Sequence, residues 1–82
     1  MNVDSDQLML AIIEDNVERF GIGMQVRDTA FGRFVDFSHS VGGYVHANEI
    51  GHFEVRDAYW FLNGWAHAVG VELETEQALK RA

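Results

Sequence analysis

The chain has no cysteine and no proline, and among its 82 residues only 6 are Lys or Arg against 13 Asp or Glu. Without cysteine there is no disulfide framework, no thiolate nucleophile and no zinc finger or ribbon, which fits a reducing compartment. The shortage of bases gives a formal net charge of −7, so phosphate backbones and anionic membrane surfaces are repelled rather than attracted. No apolar run approaches the roughly 18 to 20 residues that span a bilayer. The acidic opening, Met1 to Asp6, lacks the basic and apolar regions of a secretory signal. The expectation is a cytoplasmic protein of one domain, residues 1–82, with no membrane association. A domain of this size buries only about 60% of the surface of its unfolded chain, so its core is shallow and a large active-site cleft is not expected.

Periodicity divides the chain into elements. Asp4-x-x-Gln7 resembles a capping box, and Met9, Ile12, Ile13, Asn16, Val17 and Phe20 recur at helical spacing. This predicts a helix from Ser5 to Phe20, with Gly21 as its left-handed stop. The period then changes to two. Ile22, Met24 and Val26 face one side of a first strand, Asp28-Thr29-Ala30 suggests a turn, and Phe31 to Ser38 alternates as a second strand with large side chains on both faces. Ser38 to Gly43 has the composition of a hairpin connection, Tyr44 to Ala47 reads as a third strand, and Asn48 to Gly51 as another turn. His52 to Val55 is either a short fourth strand or the approach to a helix. That second helix carries Val55, Ala58, Tyr59, Leu62, Trp65, Ala66 and Val69 as one stripe and stops at Gly70. Val71 to Glu74 extends away, and Thr75 caps a last short helix that ends in Lys80 and Arg81. The fold class expected is α+β: helix, three-stranded antiparallel meander, helix, short helix, with the helices packed on the sheet.

Motifs for chemistry are scarce. His39, His46 and His52 with Glu49 could gather around a metal only if the turns fold back, and their spacing is no known ligand signature. Ser38 and His39 adjoin near Asp36, but neighbouring side chains on a strand point to opposite faces, so no catalytic relay follows. There is no phosphate-binding glycine loop and no nucleophile elbow. Phe34-Val35-Asp36-Phe37 matches the end of an RNA-recognition pattern whose remainder is missing, and the charge opposes single-strand binding. These residues therefore read as core phenylalanines and solvated or core-edge histidines, with no catalytic residues, no metal and no cofactor, and the protein as a non-enzyme.

Two features remain. Residues 1–18 hold Asp4, Asp6, Glu14, Asp15 and Glu18 with no base, and Asp57, Glu72, Glu74 and Glu76 precede Lys80 and Arg81. If the terminal elements lie together, Asp6, Glu14, Asp15, Glu18, Glu72, Glu74 and Glu76 form one acidic face. Glu14 and Glu18 would stand about 6 Å apart on a helix, comparable to successive phosphates of a nucleic acid. The alternative is a solvated face that maintains solubility. The second feature is the back of the second helix, where Trp60, Gly64 and His67, flanked by Phe61 and Ala68, make the helix apolar nearly all round. Such a helix is expected to be covered on both sides, by the first helix, by the Val71–Leu73 segment, or by a second chain.

In size, charge and element order the chain resembles the small acidic anti-CRISPR proteins of phages, in particular inhibitors of type I CRISPR complexes. No residue is matched to a family motif, and none is carried over. The resemblance implies a non-catalytic inhibitor in the host cytoplasm. Its partner would be a basic nucleic-acid-binding protein such as a Cas subunit, with acids standing in for phosphates and no direct contact with nucleic acid. The competing expectation is a small structural or regulatory module that homodimerises through Trp60, Gly64 and His67. A monomer and a homodimer are both open at this point.

Overall fold

The computed structural model describes residues 5–41 and 44–81, apart from the side chains of 40–49. The capping Asp4 and the hairpin glycines at 42 and 43 lie outside the described residues. Helix α1 (Ser5–Asn16) tightens into a 3-10 turn (Val17–Phe20) and leads to strands β1 (Ile22–Thr29), β2 (Gly32–Val41) and β3 (Tyr44–Glu54), then helices α2 (Val55–Ala68) and α3 (Glu76–Arg81). The strands form one antiparallel sheet in the order β1-β2-β3. This is the α+β arrangement that the alternation of periods predicts.

The 3-10 turn ends at Gly21 with φ at 66°, where its N–H donates to the Glu18 carbonyl at 3.1 Å. A side chain in that conformation would be strained, which is why glycine stands there. Gly70, with φ at 82°, closes α2 in a Schellman motif: its N–H reaches the His67 carbonyl and the Val71 N–H reaches that of Ala66.

The sheet differs from expectation in its connections. The first turn lies at Ala30-Phe31, one residue later, because Thr29 Oγ1 accepts from the Phe31 N–H and donates to the Gly32 carbonyl. Phe31 is therefore a turn tip, 91% exposed, and not a strand residue. No turn interrupts residues 48–51. β2 and β3 continue as a long hairpin, the irregularity being absorbed by register shifts beside Phe37, Ser38 and Ser40, and the candidate fourth strand is the end of β3. Gly51 is opposite Phe37 in this ladder. A Cβ on it would stand 2.8 Å from the Phe53 ring, so glycine makes room for that ring.

Both long helices occupy one face of the sheet. Ile22, Val35 and Phe37 from the strands enclose a core with Ile13 and Val17 from the first helical segment and Val55, Ala58 and Leu62 from α2. Phe53 stacks on Phe61 at 5.0 Å, and Phe37 lies 5.8 Å from each. Of the expected core phenylalanines, Phe37 is buried, whereas Phe34 is half-buried on the other face of the sheet, which no helix covers among the described residues. Neither the first helix nor the Val71–Leu73 segment covers the back of α2, so the intramolecular part of that expectation is not met. Phe61 packs on the sheet, but Trp60, Gly64, His67 and Ala68 are exposed because α1 and the sheet together occupy only the Leu62 side. Val69, placed on the buried stripe by its spacing, is also exposed, since the helix has already ended there.

Candidate interaction face

The terminal acids are brought together by one buried amide. Asn16 ends α1 on its apolar stripe and has no solvent exposure. Its amide nitrogen donates to the carbonyls of Ile12 at 2.7 Å and Glu74 at 2.8 Å. Its amide oxygen accepts from the Glu74 N–H at 2.9 Å and from Arg19 at 3.2 Å. Both donors and both acceptor positions are used, so the amide pairs with the Glu74 peptide much as a neighbouring strand would. Residues 71–75 therefore do not extend away. They return along α1 and drop Leu73 onto the core.

Arg19 reinforces the attachment, donating to the Glu72 carbonyl at 3.3 Å and lying 3.8 Å from the Glu74 carboxylate. Arg81 of α3 donates to Asp15 at 2.9 Å, and Lys80 meets Glu76 within its own helix at 3.3 Å. The three bases of this end thus each engage one acid. Glu14, Glu18 and Glu72 are exposed and hold no ion pair among the described residues.

The predicted face is accordingly divided. Glu14, Glu18, Glu72, Glu74 and Glu76 are exposed on α1, the 3-10 turn and the segments beside them. Asp15 is half-buried, with Oδ2 enclosed and without a hydrogen bond, so it serves the α1–α3 contact more than the surface. Asp6 stands apart. It lies in the first turn of α1 and lines a shallow open cavity of about 320 Å³ with Phe31, Arg33, Glu54, Arg56 and Asp57. Nine residues at about 1.5 Å rise separate it from Asp15 along the helix.

A second polar cluster escaped sequence reasoning. On the uncovered sheet face Asp36 accepts from Arg27 Nε at 2.6 Å and Nη2 at 3.1 Å, and its Oδ1 lies 2.6 Å from His52 Nδ1. One carboxylate so links all three strands. The Arg27 guanidinium first, and His52 after it, hold the Asp36 carboxyl below its usual range despite the opposing effect of burial. Sequence order pairs Asp36 with the adjacent Ser38 and His39. The β2–β3 register, which sets His52 opposite Asp36, is what an unaligned sequence lacks. Among the described residues no three His, Cys, Asp or Glu side chains gather as metal ligands. The His46 and Glu49 side chains of the metal reading lie outside the described set.

Among the described residues no helix is long and apolar enough to cross a membrane. Compared with protein-family models, with curated proteins and with solved structures, the chain matches none.

Proposed function

We propose that the protein is a non-catalytic binding module whose acidic face engages the basic nucleic-acid-binding surface of a partner protein. The observation that carries this reading is the Asn16–Glu74 attachment, which sets the C-terminal acids beside those of α1. Glu14, Glu18 and Glu72, which hold no ion pair among the described residues, are the groups available to meet guanidinium and ammonium groups on the partner. Glu18 stands on the 3-10 turn and not on α1, so the i,i+4 α-helical spacing expected for Glu14 and Glu18 is not kept.

In its most specific form the partner is a DNA-recognition subunit of a type I CRISPR complex, and the setting is the cytoplasm of a host cell. That form rests on the likeness in size, charge and element order to small acidic inhibitors. It is tested by titrating the chain against such subunits, purified, over a range of salt concentrations. Binding that weakens steeply as salt rises supports the charge-driven contact. Binding that is absent at low salt, or indifferent to salt, removes it.

A further inference from the structure

Helix α3 lies beside the acidic face and is held there lightly. It packs on α1, and Ala78 is the residue that it buries. Leu79 is 57% exposed and adds little to that contact. The other tie is the ion pair of Arg81 with Asp15, in which the arginine side chain is half exposed. Six residues do not hold a helix by themselves, since isolated helices shorter than about 12–15 residues are marginal in water. α3 therefore stays wound only while docked. The segment before it is fixed independently, by the buried Asn16 amide at Glu74.

The Asp15 contact is also incomplete. Arg81 Nη2 donates to Oδ1 at 2.9 Å, while Oδ2 is enclosed and has no hydrogen bond among the described residues. A guanidinium that is free to turn serves both oxygens of a carboxylate at once, as Arg27 serves those of Asp36. We infer that α3 is an autoinhibitory stand-in for the basic partner, with Arg81 occupying Asp15 until a guanidinium of the partner replaces it and α3 undocks. Asp15 then joins Glu14, Glu18 and Glu72 on the surface that is bound. This inference rests on the reading of the acidic face given above. The partner favours the open state because it meets Asp15 there and not in the docked state. α3 carries one acid and two bases, so its departure also leaves the face more negative.

The test uses a hexa-arginine peptide as the probe, titrated into the full chain at low salt with amide exchange followed by NMR. The Leu79 amide donates to the Thr75 carbonyl at 3.0 Å and reports whether α3 is wound, and the Glu74 amide reports the attachment before it. Binding of the peptide should raise Leu79 exchange toward the unprotected rate while Glu74 stays protected.

Arg81→Ala should tighten binding of the peptide about twofold to fivefold, the worth of a partly exposed ion pair that no longer competes. Lys80→Ala removes the same charge but breaks only a pair within α3, so its affinity should stay closer to wild type. Ala78→Gln changes no charge and should undock α3 by size, freeing the Leu79 amide and tightening binding as Arg81→Ala does. A peptide that shifts the resonances of Glu14, Glu18 and Glu72 but leaves Leu79 exchange unchanged overturns the inference and leaves the acidic face standing. So does a Lys80→Ala protein that matches Arg81→Ala in affinity. A peptide that does not bind at low salt removes the acidic face itself, and this inference with it.

Discussion

Replacing Asn16 by Ala perturbs the attachment on which the acidic face depends. The substitution deletes two bonds to the Glu74 peptide and one each to the Ile12 carbonyl and Arg19. Each neutral bond contributes about 1 kcal/mol net, and a buried partner left unpaired costs about 1–3 kcal/mol. Glu74 can recover water if its segment lifts, so the cost stays near the lower part of that sum, about 2–4 kcal/mol. This is a large part of the roughly 4–12 kcal/mol expected for a domain of this length. With a urea m-value near about 1 kcal/mol/M the midpoint should fall by about 2–4 M. Hydrogen exchange localises the loss: the Glu74 amide should exchange freely in the variant while the amides around Leu62 stay protected as long as the core remains folded. Asn16→Asp gives an independent check. Its carboxylate would face the Ile12 and Glu74 carbonyls with no proton to donate, so the folded state raises its pKa above the unfolded value. That variant should be most stable at acid pH, below the unfolded pKa, and lose stability as pH rises through the folded one. An Asn16→Ala protein within about 0.5 kcal/mol of wild type, with Glu74 still protected, would refute the attachment.

Further substitutions test other parts of the structure. Leu62→Ala, in the centre of α2 and without exposure, should destabilise by about 2–5 kcal/mol in chemical denaturation. Gly51→Ala pushes a methyl group into the Phe53 ring and should cost about 1–3 kcal/mol, with the near-ultraviolet aromatic signal altered. Asp36 has its folded pKa depressed below the usual 3.8 by Arg27 and His52. Its contribution is therefore complete above the unfolded value and lost as pH falls through the folded one. Asp36→Asn should flatten the acid limb of stability against pH below about 3.8 and leave the neutral region without that dependence. Glu14→Gln combined with Glu18→Gln should leave the stability within about 0.5 kcal/mol of wild type in thermal melting, since both side chains are exposed and neither holds an ion pair among the described residues.

The elements were legible in the sequence because each rests on local regularity. The change from helical to alternating spacing at Gly21, the α2 stripe from Val55 to Leu62 and the stop at Gly70 all follow from nearby residues. The strand connections were harder to read. Phe31 looked like a strand residue until the Thr29 side chain fixed the turn, and Asn48 to Gly51 has turn composition although the ladder runs through it. Long-range placement was the least visible. Asn16 was on the apolar stripe from its spacing, but its partner lies 58 residues away, and nothing local announces that Glu74 returns to it. A polar residue on an otherwise apolar helix face, with all four bonding positions to satisfy, was the one available signal. His52 is not legible as the partner of Asp36, because the turn-like composition of Asn48 to Gly51 hides the β2–β3 register that sets them opposite each other. The spacing shows that α2 is apolar nearly all round, but it does not say whether the first helix, the Val71–Leu73 segment or a second chain meets Trp60, and the placement of α1 leaves that side exposed.

Under the proposed reading Glu14, Glu18 and Glu72, exposed and without ion pairs among the described residues, stand in for phosphates on a basic partner. The most direct measurement is displacement of a labelled DNA duplex from a type I CRISPR DNA-recognition subunit. Wild type is compared with the combined Glu14→Gln, Glu18→Gln, Glu72→Gln variant, each shown to be folded. Wild type should displace the DNA, and the variant should do so more weakly and with a shallower dependence on salt. A wild type that leaves the DNA bound, or a variant that competes equally well at every salt concentration, contradicts that reading.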